Sequence, residues 1–366
     1  MKNQKPPDFA ILFSSLMLLI FGIIMVFSSS SVWAYYLHKD SLYFLKRQMA
    51  WAALGFLAMI FFMNYDYWNI KKHEKTIVFF MFLLLLIVLV PGIGIELNGA
   101  RRWIGVGSLT VQPSELAKLS MVIYLACGLE RKQEKIRNFF TGILPFLIIT
   151  GLVCGLIVIE PHLSATVLLG MTAFVMLFAA GASIIQLLGL GAAGLAAVIM
   201  LIFTKGYRMG RFISFLNPWQ DIQDKGYHIV QSLYALGSGG LIGVGLGHSR
   251  QKFFYLPEPQ TDFIFAIIGE ELGFLGASFV ILLFMFFIWR GYRTALTAPD
   301  LFGKFLATGL TTLIALQFLI NIAVVTASMP VTGMPLPFIS YGGSSLIITM
   351  SQVGILLNIS RYTEAK

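Results

Sequence analysis

The chain has 366 residues, of which 57% are hydrophobic and only 12% are charged, and its mean hydropathy is +0.82. This composition lies far outside the range of water-soluble globular domains and indicates a membrane protein. The net charge of +9 is scattered between apolar runs instead of forming a basic domain, which argues against nucleic acid as a partner.

Ten apolar runs recur along the chain, and a hydrocarbon core of about 30 Å requires roughly 20 helical residues. The runs occupy residues 9–27, 50–63, 77–90, 116–129, 139–159, 163–180, 184–203, 263–289, 305–326 and 344–359. They are continuous, and backbone groups in lipid must pair within their own segment. We therefore expect an all-α polytopic membrane protein, a bundle of about ten transmembrane helices, in preference to a β-barrel. The first run, preceded by Lys2 and Lys5, is expected to be a retained signal anchor.

The distribution of Lys and Arg predicts the orientation of the bundle. If the N-terminus lies in the cytoplasm, the inner segments hold fourteen basic residues and the short outer segments hold five. Both termini are therefore expected to be cytoplasmic.

Two outer connections are longer than passive connectors need to be. Residues 204–260 form a large extracytoplasmic loop between the seventh and eighth runs, within a single membrane domain that covers 1–366. Residues 91–115 join the third and fourth runs and contain Arg101 and Arg102. These guanidinium groups can bind phosphate oxygens, or they can extend to lipid headgroups, and the sequence leaves both interpretations open.

Charged side chains within or beside apolar runs are costly and call for a partner or a function. Glu115 and Lys118 are three residues apart on one helix face, so they either neutralise each other or direct Lys118 to a ligand phosphate. Glu160 and His162 flank Pro161 where the fifth run turns into the sixth. Helix capping and solvation at the membrane interface explain these two side chains about as well as a direct role in the reaction does.

The segment PQTDF at 259–263 precedes the eighth run and is typical of a helix start. Thr261 is the expected N-cap, and Asp262 is favoured in the first turn by the helix dipole. Glu270 and Glu271 follow on the same helix, with Glu270 ~12 Å deeper than Asp262 at 1.5 Å per residue. We expect both glutamates to pair with polar groups of neighbouring helices.

Several function classes are not supported by the motifs. GLGAAG at 189–194 fits a dinucleotide-binding fingerprint, but it lies inside an apolar run without a preceding strand, so it predicts close packing of small residues between helices. No Walker sequence is present, and the five histidines lack the spacing of a zinc-hydrolase helix. Cys127 and Cys154 both fall in apolar runs, which argues against an outer disulfide framework.

Five longer motifs occur in order along the chain. They are RRWIGVGSLTVQPSELAKLS at 101–120, NPWQD at 217–221, GYHIVQSLYALGSGGLIGVGLG at 226–247, YLPEPQTDFIFAIIGEELG at 255–273 and PLPFISYGGSSL at 335–346, preceded by FLKRQ at 44–48. Together they resemble the SEDS family of FtsW, RodA and SpoVE, and the similarity is greatest to the FtsW and SpoVE branch. His162 departs from the pattern, because many relatives carry an acidic residue there. From the residues alone, Gly342 and Gly343 allow tight turning and close helix approach.

The resemblance implies a peptidoglycan glycosyltransferase that joins lipid II units by inverting transfer, with undecaprenyl diphosphate as the leaving group. It implies action on the outer face of the bacterial cytoplasmic (inner) membrane, in cell division, elongation or sporulation. The implied partners are a class B penicillin-binding protein (a transpeptidase), lipid II, the growing glycan strand and membrane lipids. The alternative is a lipid II flippase without glycosyltransferase activity. The sequence leaves open whether a divalent cation, Mg²⁺ or Mn²⁺, takes part.

The resemblance also assigns residues to the site. Asp262 matches the family's catalytic aspartate, the expected general base on the acceptor hydroxyl. The residues expected to bind substrate are Arg47, Arg101, Arg102, Trp103, Gln112, Ser114, Glu115, Lys118 and Glu258. The cations among them would offset the growing charge of the diphosphate. A carboxylate at a helix N-terminus should have a lowered pKa and be a weak base, unless burial offsets this effect.

Overall fold

The structure is a computed structural model that describes residues 5–363 apart from 98, 107, 108, 205, 221, 223–225 and 254. Some residues of the charge count and of the sequence motifs lie outside the described residues. They are Lys2, Gly107, Ser108, Asp221, Lys225 and Lys366. The helices are α1 (Phe9–His38), α2 (Tyr43–Asn64), α3 (Tyr67–Lys72), α4 (Glu74–Leu89), α5 (Pro113–Arg131), α6 (Leu144–Ile159), α7 (Leu163–Ala179), α8 (Ile184–Phe203), α9 (Gly206–Leu216), α10 (Tyr227–Ser238), α11 (Ile264–Leu296), α12 (Leu301–Val325) and α13 (Gly343–Ser360).

The predicted helical membrane fold is confirmed, since all ten apolar runs lie in helical segments. Over the described residues, seven helical segments are long and apolar enough to span a membrane. They correspond to α1, α2, α6 with the π-helical segment Phe139–Ile143 before it, α8, α11, α12 and α13. The other three runs lie in α4, α5 and α7, of which α4 and α7 have 16 and 17 residues. That the chain crosses the membrane about ten times stays a prediction.

Helices α12 and α13 form the centre of the bundle, because 78% of the apolar window of each is buried. Helix α12 packs against α5, α7 and α11, and α13 packs against α2. At the N-terminus, the backbone N–H of Lys5 donates to the carbonyl of Arg361 at 2.9 Å. Both ends of the described chain therefore lie at the same end of the bundle.

Helix α8 lies at the periphery, with only 6% of its apolar window buried. A Cβ added at Gly189 or Gly194 would meet no atom within 4 Å among the described residues. A Cβ added at Gly191 would lie 3.8 Å from the Phe174 ring of α7, which is an ordinary contact. Among the described residues, the close helix packing predicted for 189–194 is therefore not seen. These glycines lie on a helix that faces away from the core.

The connection between α4 and α5 contains a small antiparallel sheet that the sequence did not predict. Its strands are β1 (Gly94–Leu97), β2 (Ala100–Val106) and β3 (Leu109–Val111), in the order β1-β2-β3. Trp103 of β2 pairs with Ile95 of β1, next to a register shift between Ile95 and Glu96. The sheet holds the segment with Arg101, Arg102 and Trp103 at the start of α5.

The long connection 204–260 is also partly helical, because it contains α9, a 3-10 turn at Pro218–Gln220, and α10. A glycine-rich segment after α10 packs against a break in α11 at Gly273, where φ is 65°. The carbonyl of Glu270 accepts from Val244 N at 3.0 Å, and Phe274 N donates to the carbonyl of Gly240 at 2.9 Å. Backbone groups freed by the break are thus paired with the loop, as irregular backbone in a membrane bundle requires.

Candidate active site

Asp262 lies in a turn, residues 258–263, that leads into α11 (the Asp262 turn). Helix α11 begins at Ile264, and its N-cap, Phe263, makes no side-chain capping bond. Thr261 instead donates its N–H and its hydroxyl to the carbonyl of Glu258, at 3.0 and 2.9 Å. The prediction of Thr261 as N-cap with Asp262 in the first helical turn is therefore wrong.

The α12–α13 loop, residues 326–342, holds the Asp262 turn in place. The hydroxyl of Ser340 donates to the carbonyl of Thr261 at 2.6 Å and accepts from Leu336 N at 2.8 Å. The adjacent Tyr341 N donates to the carbonyl of Gln260 at 2.8 Å. These bonds replace the helical pattern at 260–261, which explains why α11 starts later than predicted.

Close approach at the second glycine of ISYGGSS is confirmed. A Cβ at Gly343 would lie 2.5 Å from the Trp51 ring, so α2 and α13 meet where only glycine fits. Gly342 has an extended backbone, with φ 171°. The motif thus combines a close helix contact with the two residues, Ser340 and Tyr341, that bind the Asp262 turn.

Asp262 is half-buried, and its environment raises the pKa of its carboxyl to about 6. The largest cause is burial, followed by the negative charge of Glu258, whereas the positive charges of Arg211 and Arg102 lower the pKa. Burial therefore exceeds any helix-dipole effect and makes this carboxylate a stronger base than an exposed one. Glu258 itself is exposed and has a positive φ of 44°.

The two arginines of β2 have different partners. Arg102 donates from Nε to the carbonyl of Glu160 at 3.0 Å and from Nη2 to the carbonyl of Pro161. Arg101 pairs with the exposed carboxylate of Glu96 at 3.1 Å. Successive side chains of a strand point to opposite faces, so only one of two adjacent arginines can face the α6–α7 turn.

Glu115 and Lys118 form the predicted ion pair, with 2.8 Å between Oε2 and Nζ, and both side chains are buried. Lys118 also donates to Oε1 of Gln317 at 3.1 Å. Gln112 and Ser114, at the start of α5, are buried as well. Neutralisation of the pair is thus confirmed, and a contact of Lys118 with a ligand phosphate stays a prediction.

Arg47 reaches the same region from α2. Its guanidinium lies over the Tyr43 ring, 4.8 Å from the centroid, and its positive charge acts on Tyr341, the residue bound to the Asp262 turn. Trp103 is half-buried in β2. Among the predicted substrate residues, Arg47, Arg102 and Glu258 therefore connect most directly to the Asp262 turn.

The α6–α7 turn contributes two buried side chains beside Arg102. Burial raises the pKa of Glu160 to about 8, although the charge of Arg102 opposes this effect. Burial also lowers the pKa of His162 to about 3, and the charges of Arg102 and Lys118 lower it further. Both side chains are therefore uncharged near pH 7, so their side chains place no carboxylate charge beside Arg102.

Glu270 and Glu271 anchor the end of the long connection 204–260. Glu271 accepts from the hydroxyl of Ser28 in α1 at 2.5 Å and forms a buried ion pair with Lys252 at 3.0 Å. Glu270 accepts from the hydroxyl of Ser249 and from Arg250 N, the latter at 2.8 Å. The expected pairing with a neighbouring helix is confirmed for Glu271, and the other partners belong to the loop.

Four residues of the site were not among the predicted site residues: Arg211, Gln317, Asn321 and Ser340. Arg211, in α9, donates to the carbonyl of Val331 at 3.4 Å and acts electrostatically on Asp262. Polar residues within an apolar run were a usable signal for Gln317 and Asn321. Within the described residues, no group of three or more His, Cys, Asp or Glu side chains is arranged to hold a metal ion.

Comparison with known proteins identifies the family. The chain matches the model of the FtsW/RodA/SpoVE cell cycle proteins over residues 9–365. It belongs to the FtsW/RodA/SpoVE family. It is 51% identical over 362 residues to stage V sporulation protein E of Bacillus subtilis, and the match covers 99% of each chain. It is 44% identical to a probable peptidoglycan glycosyltransferase FtsW of Geobacter sp. strain M18, over 98% of each chain.

Solved structures of this family share the fold. A chain of a peptidoglycan synthase complex that coordinates polymerization and crosslinking is 28% identical, with a TM-score of 0.78 over 98% of this chain and 99% of that one. Rod shape determining protein RodA of Thermus thermophilus is 27% identical, with a TM-score of 0.73 over 98% of each chain. As a family member with apolar helices throughout, the chain is a multi-pass membrane protein.

Proposed function

We propose that the chain is a peptidoglycan glycosyltransferase that polymerises lipid II on the outer face of the bacterial cytoplasmic membrane, with both termini in the cytoplasm. The observation that carries this proposal is the half-buried carboxyl of Asp262, with a pKa raised to about 6 and the charges of Arg102 and Arg211 acting on it. Relatives similar over nearly the whole chain bear the name of this activity. The large outer loop, 204–260, belongs to the same membrane domain.

Asp262 acts as the general base. Its carboxylate accepts the proton of the acceptor GlcNAc 4-hydroxyl while that oxygen forms a bond to the anomeric carbon of the donor MurNAc. The bond from this carbon to the diphosphate breaks, and undecaprenyl diphosphate departs with inversion. A base with a pKa somewhat below the working pH is mostly ionised and still accepts a proton readily.

The departing diphosphate gains negative charge that the site must stabilise. Arg102 and Arg211 supply positive charge beside Asp262, and Lys118 supplies it from α5. Fixed cations in a partly water-excluded site stabilise developing charge strongly, because they need no reorganisation during the reaction. Glu115 holds Lys118 in position for this role.

The remaining predicted contacts position the sugars and the diphosphate. They are Arg47, Arg101, Trp103, Gln112, Ser114 and Glu258. We also propose a class B penicillin-binding protein as the partner. The likeness to a chain of a synthase complex supports such an assembly.

The test is polymerisation by the purified chain together with its class B penicillin-binding protein. The complex is given lipid II, and the glycan product is separated by gel electrophoresis. Asp262→Asn should abolish product while the chain still folds and binds its partner. Asp40→Asn is the matched control, because Asp40 is a carboxylate in a connection between helices, and its partner is Lys46 at 2.7 Å.

Three outcomes separate the alternatives. Normal polymerisation by Asp262→Asn would show that the base assignment is wrong. If no preparation polymerises but lipid II crosses the bilayer of liposomes that contain the chain, the flippase alternative holds. Loss of activity with a chelator and recovery with Mg²⁺ or Mn²⁺ would show that a divalent cation is required.

A further inference from the structure

Two buried amides of the central helix α12 hold the α12–α13 loop. Gln317 and Asn321 are four residues apart and so lie on one face of the helix, about 6 Å apart along its axis. Gln317 Nε2 donates to the carbonyl of Pro335 at 2.9 Å, and Asn321 Nδ2 donates to the carbonyl of the preceding Met334 at 2.8 Å. The two amides therefore bind consecutive peptide groups.

Each amide also contacts a residue of the site that carries a charged side chain. Gln317 Oε1 accepts from Lys118 at 3.1 Å, and Asn321 Nδ2 donates a second bond to the backbone carbonyl of Asp262 at 2.9 Å. A continuous path of contacts thus runs from Lys118 through the two amides to Asp262. It joins the proposed cation for the leaving group to the proposed base.

The same loop comes close to the reactive carboxyl. A Cβ added at Gly333 would lie 3.4 Å from Oδ2 of Asp262, and Gly333 has a φ of +69°. The backbone carbonyl of Asp262 is fixed by Asn321, while the loop that approaches its carboxyl is fixed by both amides. Loss of either amide would free the loop to move relative to the carboxyl.

We propose that Gln317 and Asn321 are positioning residues that set the distance between Lys118 and the carboxylate of Asp262. This inference rests on the proposed glycosyl transfer. The bonds run to backbone carbonyls and to Lys118, so these amides act through other groups and not on the substrate. A well-packed supporting shell of this kind is what holds reacting groups in productive geometry.

The experiment compares Asn321→Leu and Gln317→Met with a matched control, Asn358→Leu. Asn358 in α13 is also 1% exposed, accepts from Tyr67 N at 3.0 Å and donates to the carbonyl of Met63 at 2.9 Å. It therefore reports the structural cost of losing a buried asparagine near the C-terminal end of α13, the opposite end of that helix from the α12–α13 loop. All variants are purified with the partner and assayed for lipid II polymerisation, thermal unfolding and pH dependence.

We expect kcat to fall on the order of 100-fold in Asn321→Leu and Gln317→Met, the cost of roughly 1 Å of misplacement, with KM changed much less. The acidic limb of the pH profile should shift in Asn321→Leu and stay in place in Asn358→Leu, which should lose stability but little kcat. If Asn321→Leu does not fold, Asn321→Ser, which is smaller and keeps a donor, takes its place with the same expected shift.

Equal kcat losses in the control and in the two α12 variants, with no shift of the pH profile, would overturn the inference. If the proposed function itself is wrong, the assay gives a different result, because the unmodified chain would then make no glycan at all. The inference alone fails if the unmodified chain polymerises and Asp262→Asn does not, but both α12 variants keep normal kcat and pH dependence.

Discussion

Glycosyl transfer should depend on pH through Asp262, and removing the charge of Glu258 should shift that dependence. Burial and the Glu258 charge raise the pKa of Asp262 from 3.8 to about 6. This corresponds to about 3 kcal/mol against the carboxylate, an upper value because water reaches part of the side chain. The base works only when ionised, so the rate should fall about tenfold for each pH unit below 6. In Glu258→Gln, the midpoint should move to lower pH.

The assay is the initial rate of lipid II polymerisation between pH 5 and 8, in buffers of constant ionic strength. Asp40→Asn serves as the control, since it removes an acidic charge that the pKa of Asp262 does not depend on. Thermal unfolding gives a second measurement. A folded-state pKa above the unfolded value contributes stability below pH 4 that is lost as the pH rises through 6, so Asp262→Asn should unfold at a higher temperature at pH 7.5. A flat rate profile, or one that Glu258→Gln leaves in place, would refute this account of the base.

Other predictions concern the groups that support the site. Lys118→Met should destabilise the chain by about 3–5 kcal/mol in thermal or denaturant unfolding, because it leaves the buried carboxylate of Glu115 unpaired, and adding Glu115→Gln should recover part of the loss. Glu271→Gln should loosen the connection 204–260, which limited proteolysis would detect as faster cleavage within 239–252. Gly273→Ala should lower expression and melting temperature, since its Cβ would lie 2.3 Å from Gly243 N at a positive φ, whereas Gly155→Ala in α6 has open space and should be neutral or stabilising.

Local features of the site could be predicted where the partners are near in sequence. Glu115 and Lys118 are three residues apart, so helical geometry alone brings them together. The contrast between Arg101 and Arg102 follows from the alternation of a strand, but the sequence analysis treated that segment as a loop. Arg211 gave little local signal, because its role depends on how α9 lies against the α12–α13 loop.

The sequence by itself determined that the chain is a helical membrane protein, where its apolar helices lie, and to which family it belongs. Hydropathy and motif order are local properties, so they can be read without the fold. Only the tertiary structure decided the state of Asp262 and the start of α11. Locally, the turn resembles a helix N-terminus that lowers the pKa of a carboxyl, but Ser340 and Asn321, 79 and 59 positions from their partners, hold it in a different conformation. The pKa then follows burial and the charges of Glu258, Arg211 and Arg102, and three of these contributions depend on how distant segments pack together.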